Sequence, residues 1–128
     1  MTTTGNRAGC ILFLDFDGVT HPDPCEAEQH FTRLPLIEEV LRPYPACAIV
    51  ISSSWRVVHP LNEMRDFFAA DMRSRVIGVT PEYGGPGGNG NWGVAVNHER
   101  QWECERWLRT GHGWQSRSRR AGTPWIAI

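Results

Sequence analysis

The stretch "ILFLDFDGVT" (residues 11–20) decides the fold, because an apolar run leads directly into two aspartates. A continuous apolar run is typical of a strand that other elements cover on both faces. Asp15 would then stand at the tip of that strand, with Asp17 just beyond it. A carboxylate in this position costs free energy unless a cation or a basic side chain matches its charge. The stretch therefore indicates a functional site as well as a strand.

The rest of the chain alternates strand-like and helix-like segments. Further strands are predicted in "ACAIVISSSW" (46–55), "VIGVTPE" (76–82) and "TPWIAI" (123–128). Helical spacing of apolar residues predicts helices within the segments 34–45, 59–75 and 98–111. We expect the buried faces of the first two helices to comprise Leu36, Ile37, Val40 and Leu41, and Leu61, Met64, Phe68 and Met72, respectively.

This alternation predicts an α/β fold, with a parallel sheet and helices on both of its faces. In such sheets the ligand crevice lies at the carboxyl ends of the strands. Asp15, Asp17 and the serine run Ser52, Ser53 and Ser54 should therefore share one edge.

Length and composition indicate one globular domain. The 128 residues are 41% hydrophobic and 21% charged, with a formal net charge of −1. These values exclude wholesale disorder and give no overall field that attracts nucleic acid or anionic lipid. The four cysteines form no CxxC pair, which favours free thiols in a reducing compartment. No apolar run has transmembrane length and no signal peptide is evident, so we expect a cytoplasmic domain with no membrane association.

The polar residues at the predicted edge suit phosphoryl chemistry. Asp15 could attack phosphorus as a carboxylate nucleophile, and Asp17 could act as general acid and base. Ser52 could donate hydrogen bonds to a phosphoryl oxygen, and Mg²⁺ could match the carboxylate charge. The alternative is a turn role for the aspartates, since Asp before Gly is a common turn pair, and an N-cap role for Ser54. The apolar strand before "DFDG" and the serine-tipped strand after it favour the catalytic interpretation.

Five segments together carry a resemblance to a known family: "LFLDFDGVTHP", "IVISSSWR", "RVIGVTPE", the "R..E...WL" pattern that begins at Arg100, and "WIAI". They resemble the haloacid dehalogenase (HAD) superfamily and, within it, the small HAD domain of Swiss Army Knife RNA repair proteins. The resemblance runs from Ile11 to Ile128. It implies a Rossmann-like fold with a central first strand, an aspartyl-phosphate mechanism, Mg²⁺ as cofactor, and a minimal cap formed by residues 18–33.

The resemblance also implies roles for individual residues. Asp15 would be the nucleophile and a metal ligand, and Asp17 the acid/base, with its backbone carbonyl on Mg²⁺. Ser52, followed by Ser53, would bind the substrate phosphate. The family's third motif requires a Lys or Arg; Arg100, at the start of a predicted helix, is the first candidate and Arg56 the second.

The family's last motif, one or two acidic residues after the strand that matches "WIAI", has no counterpart before Ile128. We therefore expect a single domain over residues 1–128 that ends before this motif. Glu82 and Asp23 are the acids considered as substitutes, and neither is well placed. The predicted function is Mg²⁺-dependent hydrolysis of a phosphorylated substrate, with RNA or DNA ends as candidates. The alternatives are a non-catalytic or truncated HAD-like module that binds phosphate or a partner, and phosphoryl transfer to an acceptor other than water.

Histidines and tryptophans near this edge are expected to have ordinary roles. His21 and His59 are predicted to be solvated loop residues. Trp55 is predicted to pack in the core, and Trp92 to anchor the glycine-rich segment 83–93; the alternative for either is to stack on a base of a nucleic-acid substrate.

Overall fold

The computed structural model describes residues 9–81, 99–110 and 124–128. The predictions for Glu82, Trp92 and the glycine-rich segment 83–93 lie outside these residues.

The described strands form one parallel sheet. They are β1 (Cys10–Leu14), β2 (Cys47–Ile51), β3 (Val76–Val79) and β4 (Trp125–Ala127). Their order in the sheet is β3-β2-β1-β4, and all three pairings are parallel. β1 is thus an interior strand, as the resemblance implies, and the α/β prediction is confirmed.

The two central strands are apolar on both faces, as their sequences predict. β1 and β2 pair in register from Cys10↔Cys47 to Leu14↔Ile51. Successive side chains of a strand point to opposite faces, so Leu12 and Leu14 enter one core while Ile11 and Phe13 enter the other. Both faces of the sheet therefore need a covering layer.

Helices supply both layers. The helices are α1 (Leu34–Leu41), α2 (Leu61–Arg65) and α3 (Glu99–Thr110), and short 3₁₀ turns span Ala27–Gln29, Ser54–Val57 and Arg73–Arg75. α1 and α2 contribute Leu34, Leu41 and Met64 to the core on the first face. α3 covers the second face with Cys104 and Trp107.

The buried face of α1 differs from the predicted one. Leu36 and Val40 are each 68% exposed, whereas Glu38 is buried. Glu38 is accommodated because its Oε2 accepts a hydrogen bond from the backbone N–H of Ala69 at 2.8 Å. This contact satisfies a polar group that periodicity alone would place in solvent. The prediction of a buried Leu36 and Val40 was therefore wrong.

The second helix is shorter than predicted, although Met64, Phe68 and Met72 are buried as expected. α2 ends at Arg65, and turns and a 3₁₀ segment follow. One reason lies in the hydrogen bond described above: the Ala69 N–H, which a continued helix would direct to the Arg65 carbonyl, donates to Glu38 instead.

Glu38→Ala is expected to lower the free energy of unfolding by about 1–3 kcal/mol, because it leaves the Ala69 N–H without its acceptor. Urea denaturation monitored by tryptophan fluorescence measures this change. Glu39→Ala, in the neighbouring exposed position, is the matched control and should change stability by no more than about 0.5 kcal/mol. Equal effects of the two substitutions would contradict the role of the Glu38 hydrogen bond.

Within the part of the chain that the structure describes, no helix combines the length and apolarity needed to span a bilayer. The cytoplasmic location stays a prediction.

Candidate active site

Asp15 follows β1 directly and is held from three sides. Its backbone N–H donates to the Ile128 carbonyl at 3.0 Å. Its Oδ1 accepts the backbone N–H of Phe16 at 2.7 Å, and its Oδ2 lies 3.4 Å from Nη1 of Arg100. The carboxylate therefore has one oxygen fixed by the main chain and one facing a guanidinium.

The pKa of Asp15 is raised above its ordinary value. Burial is the main cause, and the charge of Asp17 acts in the same direction. The Phe16 N–H, the Arg100 charge and the Ser53 hydroxyl favour the ionised form but do not outweigh burial. The charge on Asp15 is thus incompletely matched by the side chains around it.

Asp17 is held by two side-chain donors on the same oxygen. His21 Nε2 and Trp55 Nε1 each lie 2.9 Å from Oδ1 of Asp17. Since the backbone N–H of Phe31 donates to Nδ1 of His21 at 3.2 Å, the ring proton of His21 is on Nε2 and faces Asp17. Burial by itself would raise the pKa of Asp17, but the hydrogen bonds from His21 and Trp55 outweigh burial and lower this pKa.

His21 was predicted to be solvated, and this was wrong, because its side chain is only 1% exposed. A cluster of aromatic rings encloses it. Phe31 lies 5.2 Å from the His21 ring centroid and Trp55 lies 5.7 Å from it, while Phe16 packs edge-on against Trp55. Trp55 is half-buried, so one edge packs in this cluster and its Nε1 reaches Asp17. The position of His21 four residues after Asp17 was the sequence signal available for this contact.

Trp55→Phe is expected to destabilise the fold more at about pH 6 than at about pH 3. Because the folded-state pKa of Asp17 is depressed, its hydrogen bonds stabilise the fold above the unfolded pKa, and this contribution is lost as the pH falls through the folded pKa. The hydrogen-bond part should be about 1 kcal/mol, since the Asp17 side chain is 35% exposed. The packing loss is independent of pH. Urea denaturation at both pH values separates the two, and a difference that does not change with pH would contradict the assigned hydrogen bond.

Ser52 and Ser53 follow β2 beside Asp15. The backbone N–H of Ser52 donates to the Leu14 carbonyl at 2.8 Å, which extends the β1–β2 pairing to the edge. The Ser52 Oγ is buried and has no nitrogen or oxygen hydrogen-bond partner among the described residues; its hydroxyl interacts only weakly, with the Cys104 thiol. The Ser53 Oγ accepts the Trp55 N–H at 3.2 Å and so caps the 3₁₀ turn, the role predicted for Ser54. A buried hydroxyl whose only described contact is a thiol is poorly compensated for its lost hydration, which favours a ligand there.

Thr80 is a feature of this edge that the sequence analysis missed. It follows β3, its N–H donates to the Ile51 carbonyl at 2.9 Å, and it is 1% exposed. Its Oγ1, like the Oγ of Ser52, is buried without a nitrogen or oxygen partner among the described residues. The available signal was a hydroxyl at the end of "VIGVT", the same pattern that drew attention to Ser52.

Arg100, in the first turn of α3, reaches the first strand across the edge. Besides Asp15 Oδ2, its guanidinium contacts the carbonyl of Phe13 at 3.4 Å and, more closely, the carbonyl of Ile128. The side chain is 36% exposed, so it remains accessible to a ligand. The structure therefore brings together Asp15 and the first candidate for the basic residue.

Arg56, the second candidate, is engaged elsewhere. Its Nη2 lies 2.8 Å from Glu103 Oε2, and its Nη1 donates to the Ser53 carbonyl at 2.6 Å. The Arg56 and Glu103 side chains are only 10% and 12% exposed, respectively. This ion pair ties the turn after β2 to α3, and Glu103 already neutralises the charge of Arg56.

A shallow recess of about 190 Å³ opens next to Asp17. Its lining comprises Asp17, Ser54, Trp55, Val58 and His59. The Trp55 and His59 rings stack with centroids 5.2 Å apart and planes inclined by 25°. A partly aromatic surface thus adjoins Asp17.

The comparisons with known proteins bear on this edge. A family model described as the HAD domain in Swiss Army Knife RNA repair proteins matches residues 11–128. The searches of curated proteins and of solved structures gave no match. The family match covers β2, β3, β4, all of β1 except Cys10, and the residues gathered at the carboxyl ends of the strands. The chain belongs to the HAD domain family of Swiss Army Knife RNA repair proteins.

Proposed function

We propose that this chain is a Mg²⁺-dependent phosphatase that hydrolyses phosphomonoesters through an aspartyl-phosphate on Asp15, with phosphorylated RNA ends as the substrate class. The observation that carries the proposal is the contact between Asp15 and Arg100 at 3.4 Å, at the same edge of the sheet as the buried hydroxyl of Ser52. A nucleophilic carboxylate, a cation for the phosphoryl oxygens and a hydroxyl donor are the groups that this chemistry needs.

The carboxylates at this edge suit a hard divalent cation. Burial and the charge of Asp17 both disfavour ionised Asp15, and Arg100 offsets this only in part. A cation that prefers oxygen ligands would complete the charge balance. Mg²⁺ would be held by the Asp15 carboxylate and the Asp17 carbonyl, with water as further ligands. When bound, it would offset negative charge on the transferred phosphoryl group.

In the first half of the proposed reaction, an oxygen of Asp15 attacks phosphorus and the bond from phosphorus to the ester oxygen breaks. Oδ2 is the candidate nucleophilic atom, since Oδ1 is fixed by the Phe16 N–H. Arg100 and the Ser52 hydroxyl bind the phosphoryl oxygens and orient the group for attack. The leaving oxygen requires a proton, for which Asp17 is the proposed donor.

In the second half, water attacks the phosphorus of the aspartyl-phosphate and Asp17 accepts the proton. The contacts from His21 and Trp55 favour this base form, because they lower the pKa of Asp17. The negative charge of a bound phosphate would act in the opposite direction and favour the acid form needed earlier. Asp17 can therefore alternate between the two roles as the charge beside it changes.

Two observations support RNA ends as substrates. The matched family model describes HAD domains in RNA repair proteins. The aromatic recess beside Asp17 offers Trp55 and His59 to the sugar or base next to the reacting phosphate.

The test is phosphate release from oligoribonucleotides that carry a 3′- or 5′-phosphate, with and without Mg²⁺. An aryl phosphate serves as a substrate that requires no recognition of RNA. Release that depends on Mg²⁺ and is faster with a phosphorylated RNA end supports the proposal. Release from the aryl phosphate alone would refute the substrate class. No release from any substrate would favour the non-catalytic binding module.

A further inference from the structure

We propose that the cap segment binds one transition-metal ion of the Zn²⁺ type through His21, Cys25 and His30. The ligand atoms of these three residues all lie within 4.8 Å of one another. They come from a single stretch, His-x₃-Cys-x₄-His, between β1 and α1. This site differs from the Mg²⁺ site proposed above in both its ligands and its chemistry, and it does not depend on phosphatase activity.

The donor set selects the metal. One thiolate and two imidazoles suit Zn²⁺ and similar ions, whereas Mg²⁺ prefers oxygen ligands. In a tetrahedral zinc site, with Zn–N bonds of about 2.0–2.1 Å and Zn–S bonds of about 2.3 Å, the ligand atoms would lie about 3.4–3.6 Å apart. The ligand atoms now lie up to 4.8 Å apart, so metal binding requires the loop to move by about an ångström. Three protein ligands leave a fourth position for water.

His21 is already oriented as metal-binding histidines usually are. Its Nε2–H donates to the Asp17 carboxylate at 2.9 Å. A ligating histidine typically donates its other ring N–H to a carboxylate, which fixes the ring and makes the ligating nitrogen more basic. The lone pair on Nδ1 accepts the Phe31 N–H at 3.2 Å, and the Thr20 hydroxyl also lies 3.2 Å away, so a metal ion bound at Nδ1 would replace the Phe31 hydrogen bond.

The electrostatic field around Cys25 favours a cation. Burial, followed by the negative charges of Asp23, Asp17 and Glu26, raises the pKa of the Cys25 thiol. The same three carboxylates attract a divalent ion, and the ion in turn favours the thiolate. Geometry and charge thus agree on a metal site in the cap.

Such an ion would cross-link the cap to the network that holds Asp17. Cys25 and His30 lie in the loop, whereas His21 contacts Asp17 directly. Binding would stabilise the described arrangement of the cap segment by mass action. The cap would then be positioned by a metal ion as well as by the packing of Phe31 against the core.

The test is titration of the full chain with Co²⁺ as a spectroscopic probe, followed by displacement with Zn²⁺. Coordination of Co²⁺ by a thiolate gives near-ultraviolet charge-transfer absorption, which reports binding to cysteine and not turnover. The variants are Cys25→Ser and His30→Asn. The matched controls are Cys10→Ser, a half-buried cysteine in β1, and His59→Asn, a histidine outside the cluster.

We expect one equivalent of Co²⁺ with the thiolate band in the wild type and in both controls. Cys25→Ser should lose the band, and His30→Asn should bind Zn²⁺ at least about tenfold more weakly. A wild-type band in Cys25→Ser, wild-type affinity in His30→Asn, or no band at about 100 μM Co²⁺ would each overturn the proposal. Since an inactive phosphatase could still bind Co²⁺, failure of the proposed function and failure of this site are distinguishable.

Discussion

Asp15→Asn is expected to reduce phosphate release by about 10⁴-fold or more, while the chain keeps its fold. The amide cannot form the aspartyl-phosphate, yet its oxygen can still accept the Phe16 N–H that now binds Oδ1. The measurement is Mg²⁺-dependent phosphate release by purified wild type and variant on the same substrate.

The same variant should be at least as stable as the wild type. Because the folded-state pKa of Asp15 is raised, the folded chain binds this proton more tightly than the unfolded chain, and stability falls as the pH rises through the folded pKa. At neutral pH the neutral amide removes this penalty. Thermal unfolding at neutral pH should therefore give an equal or higher midpoint for Asp15→Asn.

Asp66→Asn is the matched control, since it makes the same chemical change at a carboxylate that is 72% exposed. It should leave both phosphate release and the midpoint close to wild type. Activity of Asp15→Asn within about tenfold of the wild type would contradict the nucleophile assignment. A cooperative unfolding transition in the variant excludes loss of the fold as the cause of inactivity.

Arg100→Met is expected to reduce phosphate release by about 10²–10³-fold, because it removes the cation that faces Asp15 Oδ2 and the proposed phosphoryl position. Arg100→Lys should recover part of this loss, since it restores the charge without the two-pronged geometry. The measurement is kcat/KM for all three proteins on one phosphorylated substrate.

Arg56→Met is the contrasting variant. It leaves the half-buried Glu103 carboxylate without its arginine and should lower the free energy of unfolding by about 1.5–3 kcal/mol. The activity of its folded fraction should fall much less than that of Arg100→Met. If Arg56→Met lost activity in proportion to Arg100→Met while remaining folded, the assignment of the basic residue to Arg100 would be wrong.

The sheet and the position of the candidate site were predictable from local sequence. Strands covered on both faces have continuous apolar runs, and β1 and β2 have such runs. Because parallel strands end at the same edge, their order along the chain was enough to group Asp15 with Ser52 and Ser53.

Features that depend on distant contacts were not predictable in this way. The buried Glu38 and the early end of α2 both follow from one hydrogen bond between residues 31 positions apart in the chain. The buried position of His21 depends on Phe31 and Trp55, which approach it only in the folded chain. Periodicity and spacing contain no information about such pairings.

One carbonyl at the end of the sheet links the edge strand to the chemistry. The Ile128 oxygen accepts hydrogen bonds from both the Asp15 N–H and the Arg100 guanidinium, and the Ile128 N–H returns to the Phe13 carbonyl. The distance between the Asp15 carboxylate and the Arg100 guanidinium therefore depends on the position of β4. A ligand that draws Asp15 and Arg100 together must therefore also favour the pairing of β4 with β1. By thermodynamic reciprocity, a partner that displaces β4 must lower the affinity of the site for that ligand. β4, a strand of three residues, therefore couples ligand binding at the site to the order of this side of the sheet.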